Sequence, residues 1–179
     1  MALEVFARQG YHQASMNEIA EAAGVTKPVL YQHFESKQDL YLELLHDVAE
    51  KLTEAVLKGT ADATGPRDQV ERGFRAFFEW MAEKPARFGI LFSGDTLREP
   101  KFSQAAFGTE RTTAQAIARL IEVDGMDPEH RLILGYSLVG MSEVLCRQWL
   151  NGGFEIDPPD LAAQLANLAW VGLRGVRQV

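Results

Sequence analysis

Helical spacing governs almost the whole chain, and it constrains the fold more than any other feature of the sequence. Leu3, Phe6 and Ala7 recur at helical intervals. So do Met16, Ile19, Ala20 and Ala23; Leu40, Leu44, Val48, Leu52 and Val56; and Phe74, Phe77, Phe78 and Met81. A period of about 3.6 residues gathers such sets on one helix face, whereas a strand needs strict alternation. No β-branched alternating stretch is present, so an all-α fold is expected. With 179 residues, 46% of them hydrophobic, the chain can bury a proper core.

Local signals place the helices. Ser15-Met16-Asn17-Glu18 has the pattern in which a serine and a glutamate satisfy each other's free helix-start amides. Gly10 and Gly24 are stop signals, and Thr26 and Ser36 are N-cap candidates. Val25, Leu30 and Phe34 are expected to pack the third helix. The fourth helix is expected to fade at Lys58-Gly59, with Gly59 to Pro66 as a linker and Gly94 to Pro100 as a loop. Further helices are expected from about Phe102 to Val123, from Pro128 to Leu150, and from Pro158 to about Val176.

The informative unit is Ser15 to Lys37. Two short helices are joined by Ala23-Gly24-Val25-Thr26, the arrangement in which one helix braces another that enters a DNA major groove. The second helix offers Lys27, Val29, Tyr31, Gln32 and His33 on its outer face. Those side chains can reach phosphates, base edges and thymine methyls. Thr26 and Lys37 stand at helix starts, where free amides attract phosphate.

These residues resemble the DNA-binding domain of TetR-family repressors. The resemblance is carried by Gly10-Tyr11, Ser15-Met16-Asn17-Glu18-Ile19-Ala20, Ala23-Gly24-Val25-Thr26-Lys27, Leu30-Tyr31, His33-Phe34 and Ser36-Lys37-Gln38-Asp39-Leu40, and it runs through roughly Leu3 to Leu45. By position it implies Thr26, Lys27, Tyr31, His33 and Lys37 at phosphates, with Pro28, Val29 and Gln32 nearer the bases. It also implies an N-terminal three-helix helix-turn-helix domain, placed at residues 1–47. A larger helical ligand-binding and dimerisation domain is placed at 48–179. The family's usual basic N-terminal extension is not seen ahead of Met1, so arm contacts are expected to be missing from this chain. Pro28 stands where a glycine is often found.

Charge pulls the other way. The net charge is −7. Through Asp47, Arg8, Lys27 and Lys37 face Glu4, Glu18, Glu21, Glu35, Asp39, Glu43 and Asp47. An acidic DNA reader needs its few cations placed at phosphates.

Aromatics concentrate in the central third: Phe74, Phe77, Phe78, Trp80, Phe88, Phe92, Phe102 and Phe107. Singly they read as core. As a group they suit a bundle pocket for an apolar or aromatic effector. The expected lining is Phe77, Trp80, Phe88, Phe92, Phe107, Tyr136 and Glu143, although an i,i+4 pair with Arg147 is the plainer reading of Glu143. Gly135 and Gly140 suggest close helix approach or room for a ligand. On the last two helices Leu161, Leu165, Leu168, Ala169, Gly172 and Leu173 form an apolar stripe. With Leu138, Leu145 and Trp149 it is the expected homodimer face.

The resulting expectation is a DNA-binding transcriptional regulator, a repressor in the family's usual sense. It would bind a palindromic operator as a dimer and be released by a small effector. A helical adaptor that has lost DNA binding is one alternative, and an all-α enzyme is another. No paired histidines at metal spacing, glycine-rich phosphate loop or nucleophile beside a base is found. No catalytic residue, metal or cofactor is therefore assigned. The chain has no run long enough for a membrane span, no signal-peptide pattern, and a single cysteine, Cys146, so a cytoplasmic protein is expected.

Overall fold

The structure is a computed structural model that describes residues 1–121 and 125–174. The expected helix ends at Val123 and Val176, and the side chain of Leu173, lie outside the described residues. Among the described residues the backbone forms ten helices and no strand, as the apolar period requires. They are α1 (Ala2–Gln13), α2 (Met16–Ala23), α3 (Lys27–His33), α4 (Lys37–Thr60) and α5 (Pro66–Glu83). Then come α6 (Ala86–Phe92), α7 (Gly94–Arg98), α8 (Pro100–Leu120), α9 (Pro128–Leu150) and α10 (Pro158–Arg174).

Two expected breaks in the sequence are helical. The supposed loop at Gly94 to Pro100 contains α7 and the start of α8. Ser93 caps α7: its hydroxyl accepts the Thr96 amide at 3.1 Å and its carbonyl accepts the Leu97 amide at 3.1 Å. Gly59 does not end α4, which runs on to Thr60. A Cβ at position 59 would lie 2.7 Å from the Ala76 Cβ, so this glycine admits α5 rather than stopping α4.

The helices group into two compact units, divided inside α4, between α5 and α6, and inside α8. Unit 1 holds Met1–Lys51 together with Lys84–Phe107. Its centre is aromatic. The Tyr41 ring lies 4.4 Å from Phe102 and 5.0 Å from Phe6, and Tyr11 lies 4.7 Å from Phe102. Thr96 donates its hydroxyl hydrogen to the Ile90 carbonyl at 2.8 Å, so the Tyr41 hydroxyl donates to Thr96 Oγ1 at 2.6 Å. Satisfying both buried hydroxyls in this way ties α4 to the α6–α7 turn. At the edge, Lys84 Nζ lies 2.8 Å from Glu4 Oε1 and holds that carboxyl down to about 2.

Unit 2 holds Leu52–Glu83 and the described residues from Gly108 onward. Here α5 and α10 pack along each other. The buried face of α5 is Phe74, Phe78, Trp80 and Met81, and that of α10 is Leu161, Ala162, Leu165, Ala166 and Ala169. Gly135 resolves in favour of close helix approach. A Cβ there would fall 2.3 Å from the Ala114 carbonyl oxygen, so α9 can lie against α8 at this level only without a side chain.

Candidate nucleic-acid interface

The helix-turn-helix is built from local chemistry. Ser15 and Glu18 form the capping box of α2: the Glu18 amide donates to Ser15 Oγ at 3.2 Å, and the Ser15 amide donates to Glu18 Oε2 at 3.0 Å. Gly24 ends α2 at φ 69°, a conformation that costs a residue with a Cβ more than it costs glycine. The Val25 amide then donates to the Ala20 carbonyl at 3.0 Å, which closes the turn. Thr26 is the N-cap residue of α3, but its side chain makes no capping bond. Pro28, in the first turn, has no amide to offer it. Ser36 caps α4, accepting the Asp39 amide at 3.0 Å.

α3 is held by very little of itself. Of its seven residues only Leu30 is buried; Lys27, Pro28, Val29, Tyr31, Gln32 and His33 are exposed. Val29 is 38% exposed and Tyr31 44%. The Lys27 ammonium stands 5.8 Å from the centre of the Tyr31 ring. Val25, expected to pack this helix, is 40% exposed instead, because it sits in the turn. The outward set expected from the sequence therefore lies together on one short helix.

Lys37 is placed differently from its neighbours. Its ammonium donates to the carbonyls of Tyr11 at 2.7 Å, Ala14 at 2.9 Å and His12 at 3.2 Å. An ammonium has three N–H donors, so these contacts occupy all of them.

The acidic excess near this surface also has a physical account. Glu4 is tied to Lys84, and Glu18 closes the capping box. Asp39 accepts the Glu35 amide at 3.2 Å, and Asp47 pairs with Lys51 at 2.7 Å. The Glu18 carboxyl is held below the ordinary range by its bonds to the Ser15 hydroxyl and amide and to Gln9.

The residues expected to line an effector pocket are divided between the units. Phe88 and Phe92 belong to α6 in unit 1, where their rings lie 4.8 Å apart, and Phe107, the last residue of unit 1, is 54% exposed. Phe77, Trp80, Tyr136 and Glu143 belong to unit 2. Phe77 stacks edge-on against Phe78 at 5.1 Å, Trp80 is buried, and Tyr136 is 40% exposed. Glu143 forms the i,i+4 ion pair with Arg147, the plainer of its two readings. Glu110 faces the same region; burial, and then Glu143, push its carboxyl up. A groove of about 590 Å³ in unit 2 is lined instead by Arg67, Asp68, Glu71, Arg72, Arg75 and Glu79, among others. Those charges pair along α5, Arg67 with Glu71 and Arg72 with Asp68, each at 2.8 Å.

The expected dimer stripe divides in a similar way. Leu138, Leu161 and Leu165 are 6%, 4% and 5% exposed and belong to the core of their own unit. Leu145 is half-buried. Trp149 donates its indole N–H to the Ile156 carbonyl at 2.9 Å and lies 6.2 Å from Phe78. Leu168 is 64% exposed, and Gly172 is exposed. Ile133, Val144 and Val171, not singled out from the sequence, are exposed as well, at 57%, 58% and 69%. The uncharged run from Leu132 to Ser142, with outward positions 133, 137 and 140, was the available signal on α9, and Val144 follows just beyond Glu143.

The pattern for bacterial regulatory proteins of the tetR family matches residues 1–44. The HTH-type transcriptional activator FasR of Mycolicibacterium smegmatis is 36% identical over 177 residues, 98% of this chain and 80% of the relative. The chain belongs to the TetR family. As a TetR-family protein it is a transcriptional regulator with an N-terminal helix-turn-helix and a larger helical remainder. Solved structures of TetR-like proteins share that fold. A regulator from Rhodococcus sp. RHA1 superposes with a TM-score of 0.81 at 25% identity, covering 98% of this chain and 92% of that one. The FadR of Bacillus subtilis, solved with stearoyl-CoA, gives a TM-score of 0.80 at 17% identity, covering 98% and 96%.

Proposed function

We propose that this TetR-family regulator reads a palindromic operator as a homodimer, using α3 of each copy, and that an apolar effector changes its affinity for DNA. The observation that carries the reading is the exposure of α3. A helix buried only at Leu30 adds little to a core, yet it presents a cation, a phenol, an amide, an imidazole and an apolar side chain together. In this reading Thr26, Lys27, Tyr31 and His33 meet phosphates, which position the protein. Pro28, Val29 and Gln32 lie nearer the base edges and thymine methyls. The reading part is assigned to residues 1–47, and effector binding and dimerisation to 48–179. The chain acts in the cytoplasm, beside its DNA; no described helix is long and apolar enough to cross a membrane.

The dimer face is the outward side of α9 and α10: Ile133, Gly140, Val144, Leu168 and Val171. All but Val144, which follows Glu143, lie on two segments without charge, Leu132 to Ser142 and Leu161 to Leu173. A Cβ at Gly140 would meet nothing within 4 Å in its own chain, which leaves room for a partner helix. Two-fold pairing there would present two α3 helices to two half-sites.

In this reading the effector meets Phe77, Trp80, Tyr136 and Glu143 of unit 2. A long-chain acyl thioester is the first class to test, because a protein of the same fold holds stearoyl-CoA. Whether binding represses or activates depends on where the operator lies relative to the promoter. The relative FasR is named an activator, so the repressor sense is not assigned. Fluorescence of Trp80 should change when stearoyl-CoA is titrated in, and DNA affinity should shift in parallel. A ligand moves that equilibrium only by its differential affinity for the two states. A fluorescence change of the same size in a Trp80→Phe variant, or no change in DNA affinity at saturation, would remove the effector assignment.

A further inference from the structure

The stretch that completes unit 1 is basic. Lys84 to Phe107 carries Lys84, Arg87, Arg98 and Lys101 against Asp95 and Glu99, whereas residues 1–47 are acidic. Folding therefore brings cations to the reading unit from outside the helix-turn-helix. Several cations of unit 1 already face carboxylates. Lys84 pairs with Glu4, Lys51 pairs with Asp47, and His12 stands 3.7 Å from Glu99. Lys101 differs from these. Among the described residues no carboxylate lies within ion-pair distance of its ammonium, which donates to the neutral Oε1 of Gln38 at 3.3 Å. That bond uses one of three N–H donors and leaves the charge uncompensated.

Lys101 is fixed in place by its neighbour. Phe102 is fully buried, its ring 4.4 Å from Tyr41 of α4 and 4.7 Å from Tyr11 of α1. The start of α8 is thereby fastened to α4, and the exposed Lys101 lies beside Gln38, the second residue of α4. His33, the last residue of α3, precedes Gln38 by a short stretch of chain that spans at most about 18 Å. The major groove is about 12 Å wide. With α3 seated in it, a cation beside Gln38 is carried at the level of the backbone that borders the groove.

We infer that Lys101 is a phosphate contact outside the helix-turn-helix: its ammonium, standing over Gln38, holds the DNA backbone beside the groove that α3 enters. The inference rests on the reading of α3 as the DNA-contacting helix. It adds a contact that residues 1–47 do not contain, so part of the DNA-binding surface comes from the start of α8. A contact of this kind positions the protein and carries no sequence preference.

The test uses the full chain and a random-sequence duplex of roughly 30 base pairs, long enough for two half-sites about one helical turn apart. Affinity is measured against salt for the wild type, Lys101→Met, Lys101→Arg and Lys51→Met, with circular dichroism to verify that all four are equally helical. Lys101→Met should flatten the slope of log affinity against log salt by about one unit per half-site. Between 50 and 200 mM salt the wild type should then lose about twelvefold more affinity than the variant. Lys101→Arg should keep the wild-type slope, because a guanidinium also neutralises a phosphate. Lys51→Met removes a lysine already paired with Asp47 and should leave the slope unchanged. A wild-type slope in Lys101→Met would overturn the contact while the DNA reading stands. Equal flattening in Lys51→Met would make the effect one of net charge and overturn it too. So would a flattened slope in Lys101→Arg, since the charge would then not be what acts. A wild type with no salt-dependent affinity for duplex would sink the DNA reading and the contact together.

Discussion

Leu168 gives the sharpest test of the dimer face. Its side chain is 64% exposed in the single chain, while Leu165, one turn earlier on α10, is 5% exposed. Burying a leucine fully contributes about 1.5–3 kcal/mol, so covering what Leu168 exposes contributes about 1–2 kcal/mol. In a two-fold interface the residue counts twice, giving about 2–4 kcal/mol, or roughly 30- to 700-fold in the dimer constant. Leu168→Ala should weaken the dimer on that scale. Leu168→Glu should do more, because it must also bury a carboxylate at a cost of several kcal/mol. Sedimentation velocity at micromolar protein should find Leu168→Glu monomeric, with its helical circular dichroism intact. Leu165→Glu should behave differently and lose the fold itself, since that position belongs to the packing of α10 against α5. A dimeric Leu168→Glu would refute the face. So would a Leu168→Glu that melts as Leu165→Glu does, because the residue would then be core.

Two further outcomes follow from single residues. Gln32→Ala should cost roughly 1–3 kcal/mol on the operator and little on random-sequence DNA, measured by fluorescence anisotropy on both duplexes. Equal losses on both would make Gln32 a positioning residue instead of a reader. Cys146 is fully buried, and burial pushes its thiol up to about 12. In native protein at pH 8 it should resist a thiol-specific reagent and react only after denaturant is added; rapid native labelling would contradict the packing given for α9.

The parts legible in the sequence were those fixed by neighbours along the chain. The capping box at Ser15 and Glu18, the left-handed stop at Gly24 and the outward set on α3 each depend on residues within a turn or two. What was not legible depends on distant partners. Gly59 reads as a stop signal and is instead a point of close approach to Ala76. Leu161 and Leu168 belong to one apolar stripe, and only the packing of α5 decides that the first is core and the second is surface. The aromatic residues of the central third look like one group in the sequence. The division between α5 and α6 assigns Phe77 and Trp80 to one unit, and Phe88, Phe92 and Phe107 to the other. Lys37 shows the same limit: its place at a helix start does not announce the three carbonyls, of Tyr11, His12 and Ala14, that the folded end of α1 brings to its ammonium.

The central claim is that α3 reads DNA, and nuclease footprinting on the region upstream of the protein's own gene tests it most directly. The wild type should protect a site with two-fold sequence symmetry, its half-sites about 34–36 Å apart or a multiple of that. A variant carrying Lys27→Ala, Tyr31→Ala and Gln32→Ala should protect nothing at the same concentration while keeping its helical content, because Leu30 alone anchors α3 to its unit. An equal footprint from both proteins would contradict the account.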